Sequence, residues 1–467
     1  MKLNILSLLC ASLLTGCSLA PDYQRPPVDT LNYKQLVTIS MLQQSAADLS
    51  WQTVFKEPGL QQLIVLALES NKDLRLATLN VAAAQAQYGI QRSYRLPSVD
   101  ATISGTRQRG ENDAGGVNTT SEHGVGLGTS AFEIDLFGYA RSMSEAAFYR
   151  YLATEQGQKS AELVLISAVA DAYHSQLLAQ EQLLLAQQTL ADWEQSLQLA
   201  RKLRAAEQSS GLDVAQAEGQ VATAEADLQA RLRALALADN ALKLLVGRTL
   251  PKGASAQSVL ENQPLQVIPA NLTSELILNR PDVIQAELNL KAANADIGAA
   301  RAAFFPRISL TASTGYSSPQ MKNLFDSQSR VWSLAPQINI PIFNGGKLKS
   351  ELRLAEIRKS QAVTAYEQTI QTAFKDVADR LSGLETFGLQ IKAQKKVVTS
   401  ASKRAELSLL RYRAGVDGRL ELLDAQRQLY AERQVLIELR GAELANYVAL
   451  YKDLGGSFLH NVTTGAL

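Results

Sequence analysis

Hydrophobic positions divide the chain into stretches of different period. From Gly59 to Arg95 the apolar residues Leu60, Leu63, Ile64, Ala67 and Leu74 recur at helical spacing, and Pro97 ends the pattern. The period then falls to two: Val99, Ala101, Ile103 and Gly105 alternate with Ser98, Asp100, Thr102 and Ser104. A polar, Gly-rich loop is predicted over 110–122, followed by a second strand from Gly124 to Leu136. No proline lies between Pro97 and Pro251, so Ala140 to about Gln208 reads as one helix, on the order of 100 Å at 1.5 Å per residue. A return helix carries Val214, Ala217, Val221, Ala224 and Leu228 at alternating three and four spacing, a coiled-coil seam of small residues interrupted by Arg231.

The second half repeats these patterns. Residues 270–305 mirror the first helix, Ile308 to Thr314 and Val331 to Phe343 read as strands with bends at Pro336 and Pro341, and Gly346 to about Ala414 reads as a second long helix. Leu212, Asp213 and Val214 align with Leu420, Glu421 and Leu422 at an offset of 208. Leu79 and Asn80 align with Leu288 and Asn289 at nearly the same offset. The chain therefore divides into a leader over 1–16, a tether over 17–58, a first repeat over 59–269, a second over 270–456 and a tail over 457–467. The helix-turn glycines are Gly211 in the first repeat and Gly415 and Gly418 in the second. Glu207 stands opposite Gly415, which predicts a first turn of different shape.

The leader changes the setting. Lys2, an apolar run from Leu3 to Leu14, then Thr15, Gly16 and Cys17 resemble a bacterial lipoprotein signal. The resemblance implies cleavage before Cys17 and a diacylglycerol and N-acyl chain on that residue; Ser18 in place of aspartate favours the outer membrane. Cys10 leaves with the signal, so neither a disulfide nor a Cys metal site is expected. Only 6% of residues are aromatic and the net charge is +1, a long-helix composition without an electrostatic case for nucleic acid. Beyond the leader no apolar run approaches the ~20 residues of a membrane helix, so any crossing is made by β-structure.

Two strands per repeat make four per chain, and four cannot close a barrel in lipid, where single-chain barrels begin at about eight strands. Several chains must share one barrel. The duplicated unit, the leader and the residues around Phe137, Gly138, Phe343, Gly345, Gly415 and Asp424 resemble the TolC-type outer membrane factor family, in its OprM-like lipoprotein branch. The resemblance implies a mixed membrane α/β fold: a homotrimer with a 12-stranded outer-membrane β-barrel continued by a periplasmic α-helical coiled-coil tunnel. It also implies a periplasmic adaptor (membrane fusion protein) and an inner-membrane pump of the RND type as partners. The function implied is export of drugs or other small toxic compounds through a gated tunnel, with no catalysis and no cofactor besides the lipid.

Carried over by motif, Leu420 forms the apolar constriction of the periplasmic gate, and Glu421 and Asp424 form acidic rings. Asp213, Tyr412 and Arg440 form a latch between coils, and Arg427, one turn past Asp424, is placed to pair with it. Asp417 stands where some members carry a basic latch residue.

Rival readings carry less. Acids opening a helix also complement its dipole without any gate. His123, His174 and His460 are the only histidines and have no metal-pair spacing. With 4 Met and 3 His there is no sign of a soft-metal relay, which favours drugs over copper or silver export. Gly124, Gly126 and Gly128 lack a dinucleotide fingerprint, and around Gly345, Gly346 and Lys347 the first glycine and the Ser or Thr of a phosphate loop are replaced by Pro341 and Leu348. A passive envelope tether would explain the lipid and the long helices but not the membrane-length strands.

Overall fold

The computed structural model describes residues 19–27, 50–111, 117–249, 260 and 277–456. The leader, Cys17, most of the tether, the linker Pro251–Pro269 except Leu260, and the tail lie outside the described residues. Helices α1 (Trp51–Val54), α2 (Pro58–Ser70) and α3 (Lys72–Ser93) precede strands β1 (Asp100–Glu111) and β2 (Val117–Ile134). Helices α4 (Tyr139–Ala205) and α5 (Gly211–Val246) follow. After α6 (Pro281–Ala302) the order continues with β3 (Arg307–Ser318), β4 (Arg330–Asn339), α7 (Lys347–Arg413) and α8 (Arg419–Asp453). The two long helices each run 67 residues.

The first predicted helix is in fact two. Asn71 adopts extended backbone, and its side-chain oxygen accepts from the N–H groups of Asp73 and Leu74 at 2.9 and 3.0 Å. That capping geometry ends one helix and starts the next, a role the apolar period does not reveal. The strands are longer than their pattern suggested: β1 and β2 run into the predicted 110–122 loop, with Glu111 opposite Val117. Pro336 does not end β4 but sits inside it opposite Leu310.

The chain forms two compact units. The first, residues 1–27, 79–155 and 285–367, contains the four-stranded antiparallel sheet in the order β1-β2-β3-β4. Its register sorts side chains by polarity. One face carries Ile103, Val125, Leu127, Leu310, Trp332, Leu334 and Ile338; the other carries Thr102, Ser104, Gly126, Thr311, Ser313 and Gln337. A bulge between Thr129 and Phe132 adds one residue to β2. Ala131 there takes φ 51, and its N–H bonds the Thr311 hydroxyl at 3.1 Å. Paired regularly onward from Thr129, this same sequence would turn Phe132 and Ile134 to the polar face, so the bulge preserves the sorting. Ile103, Trp332 and Ile338 are exposed in the single chain. An apolar face of this kind, backed by a polar one, is what a barrel wall in lipid requires.

In the same unit, residues 19–27 lie along α6. Asn294 donates to the Pro21 carbonyl at 2.7 Å, Arg25 bonds Glu287 at 2.7 Å and Tyr366 at 3.0 Å, and Ala20 packs against Gly298 where no side chain would fit. The second unit, residues 28–78, 156–284 and 368–467, is helical over most of its described residues. Its α4–α5 seam buries Trp193, Leu197, Ala200, Ala217, Val221 and Ala224, with Val214 beside them. Arg231, the exception in the seam, reaches out to Gln182 at 3.0 Å and Asp227 at 3.2 Å.

Candidate functional site: the helix-turn tips

The two helix turns of the second unit share one backbone plan. Gln208 N–H bonds the Leu203 carbonyl at 2.8 Å, and Val416 N–H bonds that of Arg411 at 3.0 Å, the six-residue closure of a left-handed helix end. The left-handed residue is Gly415 at φ 70 in the second turn and Glu207 at φ 58 in the first. The expectation of a differently shaped first turn is therefore incorrect. Glu207 takes the glycine conformation, at a cost of about 1–2 kcal/mol for an L-residue.

The helices that leave these turns start differently. Ser210 opens α5 in a capping box with Asp213, whose carboxylate also accepts from Ser209 at 2.8 Å. Burial opposes ionisation of Asp213, but the bonds from Ser209 and Ser210 and the charge of Arg419 outweigh it and hold the carboxyl below its usual range. Gly418 opens α8 with no side-chain cap. Asp417 turns back instead to Arg411, at 2.5 and 2.7 Å, and that paired guanidinium lowers its pKa.

Around the second tip, Leu420 is 70% exposed, and Leu212, its counterpart, is 66% exposed. Glu421 and Asp424 lie on one exposed face of α8. Their partner is Arg404 of α7, at 2.6 Å from Asp424 and 3.6 Å from Glu421. Arg404 rather than Arg427 thus neutralises Asp424, because α7 passes alongside the start of α8. Arg427 instead lines a cavity with Trp193 and Tyr430.

The latch candidates do not all meet within one chain. Tyr412 is buried, and its hydroxyl has no hydrogen-bond partner. Asp213 is engaged by its capping serines. Arg440 lies 21 residues along α8 from Arg419, on the order of 30 Å away, where its charge acts on Glu443. The cation at Tyr412 is Arg419, which sequence reasoning missed: its guanidinium lies 5.8 Å from the Tyr412 ring centroid. Arg419 is only 3% exposed, donates to the carbonyl and hydroxyl of Ser196 at 3.4 and 3.3 Å, and leaves its Nε without a partner.

About three turns further along α8, Tyr430 donates to Asp227 of α5, accepts from Gln434 at 2.8 Å and meets Trp193 of α4 edge-on at 6.1 Å. Burial and the neighbouring carboxylate push the Tyr430 phenol up to about 12. Deeper still, burial raises Asp171 to about 6 and lowers His174 to about 4. Among the described residues no cluster of His, Cys, Asp or Glu could hold a metal ion, and no helix is long and apolar enough to cross a membrane.

A sheet with one apolar and one polar face, long coils and acidic tips define a membrane channel subunit. The chain belongs to the outer membrane efflux protein family, whose model matches residues 63–248 and 272–456. It is 42% identical over 466 residues to the probable efflux pump outer membrane protein TtgC of Pseudomonas putida, covering 98% of this chain and 96% of that one. It is 42% identical over 461 residues to the cation efflux system protein CusC of Escherichia coli O157:H7, covering 97% and 99%. The open-state MtrE outer membrane channel of Neisseria gonorrhoeae superposes with a TM-score of 0.86 at 38% identity, covering 96% of this chain and all of that one. Such neighbours are outer-membrane efflux channels with a β-barrel and a helical tunnel, and this protein is an outer-membrane efflux channel of the same kind.

Proposed function

We propose that three copies of this chain, each a duplicated unit, close their sheets into one 12-stranded barrel and their coils into one periplasmic tunnel. The observation that carries this reading is the four-stranded sheet, apolar on one face and unpaired at both edges within the chain. An open edge in lipid costs several kcal/mol per unsatisfied group, and pairing β4 with the β1 of another copy removes it.

The tunnel ends in a gate at the helix turns. Leu420 supplies an apolar constriction, and Glu421 and Asp424 supply acidic rings that attract cations and repel one another. Arg404 offsets part of that repulsion within each chain. Arg419, against Tyr412 and Ser196, holds the start of α8 to α4. Asp213 and Arg440 act with Tyr412 only if another copy of the chain brings them together. A lipid on Cys17 anchors the chain, and the strap of residues 19–27 along α6 supports a fixed exit for that anchor.

The cargo is drugs or other small toxic compounds, delivered by a periplasmic adaptor and an inner-membrane pump of the RND type. Equal identity to TtgC and CusC does not separate drug from metal export, whereas 4 Met and 3 His favour drugs. Deletion of the gene in its own host tests this. Increased susceptibility to aromatic antibiotics with unchanged copper and silver tolerance is expected; the reverse pattern would move the cargo to metals.

A further inference from the structure

Helices α3, α4, α6 and α7 all join one end of the sheet, so in a channel with a periplasmic helical tunnel the opposite end faces outward. At that outward end the apolar face turns basic. Along β1 it continues from Ile103 through Gly105 to Arg107 and Arg109, which pair with Ser121 and Thr119 of β2. On β4 the same face begins at Arg330, opposite Tyr316, which is in turn opposite Val125. All three arginines are exposed, and among the described residues none of them pairs with a carboxylate. The nearby acid is sorted to the other face: Glu122 accepts from the Ser317 hydroxyl at 2.9 Å, and both alternate away from Val125 and Tyr316.

The spacing fits a membrane edge. From Ile308 to Tyr316 the apolar face runs eight residue steps, ~27 Å along the strand. At the ~40° tilt of barrel strands this is ~21 Å of height, close to the apolar band of an outer-membrane barrel. Tyr316 and Phe325, edge-on at 5.8 Å, mark its outer limit, the level at which barrels carry aromatic girdles. Arg330 stands at that limit, and Arg107 and Arg109 lie beyond it, at the level of headgroups. Next to Arg330 a cavity of about 390 Å³ opens on the same face, walled by Ala101, Val125, Leu127, Tyr316 and Phe325. An apolar slot with a cation at its mouth matches an acyl chain joined to a phosphate.

We propose that this outward rim binds a phosphorylated glycolipid of the outer leaflet, an acylated sugar whose phosphates meet Arg107, Arg109 and Arg330 and whose acyl chain enters the cavity. The inference rests on the barrel reading, because only a sheet whose apolar face meets lipid brings these arginines to a headgroup. Guanidinium suits the task, since it can hold a phosphate through two parallel N–H bonds. Strands β1 and β4 lie three strand spacings apart, ~14 Å, so Arg107 and Arg330 engage separate phosphates. A soluble phosphate would use the cations but leave the apolar slot unfilled, which favours the lipid.

Native mass spectrometry of the full-length oligomer, delipidated in detergent, tests the site with bisphosphorylated hexa-acyl lipid A, its dephosphorylated form and inorganic phosphate as probes. Saturable adducts of the bisphosphorylated lipid are expected, with the dephosphorylated form weaker by about tenfold or more and inorganic phosphate unable to displace them. The triple variant Arg107→Gln, Arg109→Gln and Arg330→Gln should weaken binding to the same extent. Lys349→Gln with Lys392→Gln and Lys396→Gln removes as much charge from exposed positions of α7 and should leave binding unchanged. Equal binding of the two lipid forms by wild type would overturn the proposal without recourse to any variant. Unaltered affinity in the rim triple variant at retained oligomer mass, or displacement by inorganic phosphate, would also overturn it. Wild type that shows trimer mass but takes up no lipid A fails this site alone, whereas wild type without trimer mass fails the barrel reading and the site together.

Discussion

Arg419→Met removes the guanidinium that holds α8 to α4 while keeping an unbranched side chain in the same space. The two bonds to Ser196 are long, at 3.3 and 3.4 Å, so together they contribute on the order of 2–3 kcal/mol, the low end for bonds to a charged group. The Tyr412 ring at 5.8 Å adds about 0.5–1 kcal/mol. Against these stands an unpartnered Nε in a side chain only 3% exposed, which costs roughly 1–3 kcal/mol. The net contribution is about 1–2 kcal/mol per chain, or roughly 5- to 30-fold in the balance between held and released states. If three chains release together, the open population rises by roughly 10² to 10⁴. Single-channel recording reads this as a rise in open probability or mean conductance, and a host expressing the variant becomes more permeable to large antibiotics. Arg419→Lys should resemble the methionine variant, because one ammonium cannot span both Ser196 oxygens and the Tyr412 face. Wild-type conductance in Arg419→Met, with the oligomer intact, would refute the assignment of Arg419 to the closed gate.

Three other variants probe separate parts of the account. Glu207→Gly relieves a left-handed backbone cost of about 1–2 kcal/mol and loses part of it to unfolded-chain entropy, leaving a gain of about 0.5–1 kcal/mol; an unchanged or lower unfolding midpoint would show that Glu207 is not strained. Asp171 titrates near 6 in the fold, above its unfolded value near ~3.9, so the fold holds the extra proton and its contribution is present below that lower value and lost as pH rises through 6. Asp171→Asn should therefore raise the melting temperature at pH 7.5 and change it little at pH 4; equal shifts at both pH values would remove the titration argument. Glu421→Gln with Asp424→Asn should reduce cation selectivity, measured as reversal potential in a salt gradient, and an unchanged potential would take the acidic rings out of the pore.

The helix ends were legible because glycine and the absence of proline mark them in the chain itself. Gly345, Gly346, Gly415 and Gly418 flank α7, and α4 and α7 end within a few residues of their predicted limits. The apolar period also located the seam that buries Ala217, Val221 and Ala224. The strand ends were not legible, since Asn118 to Ser121 alternate among polar residues only and their pairing with β1 depends on the sheet. Asn71 was passed over because a cap leaves no mark on the apolar period. Glu207 shows the opposite failure: composition predicts conformation, but the shared hydrogen-bond plan of the two turns overrode the side chain. Among charged residues, Glu421 and Asp424 were found from helical spacing. Arg404 and Arg419 were not, because their partners lie across coils, 20 residues away for Asp424 and 223 for Ser196.

Planar-bilayer recording of the purified oligomer, wild type beside Arg419→Met, tests the central claim that this chain builds a gated conduit. Small, infrequent conductance steps for wild type and steps several-fold larger or far more frequent for the variant are predicted. Inserted, trimer-sized protein that passes no ion current in either form would contradict the conduit itself.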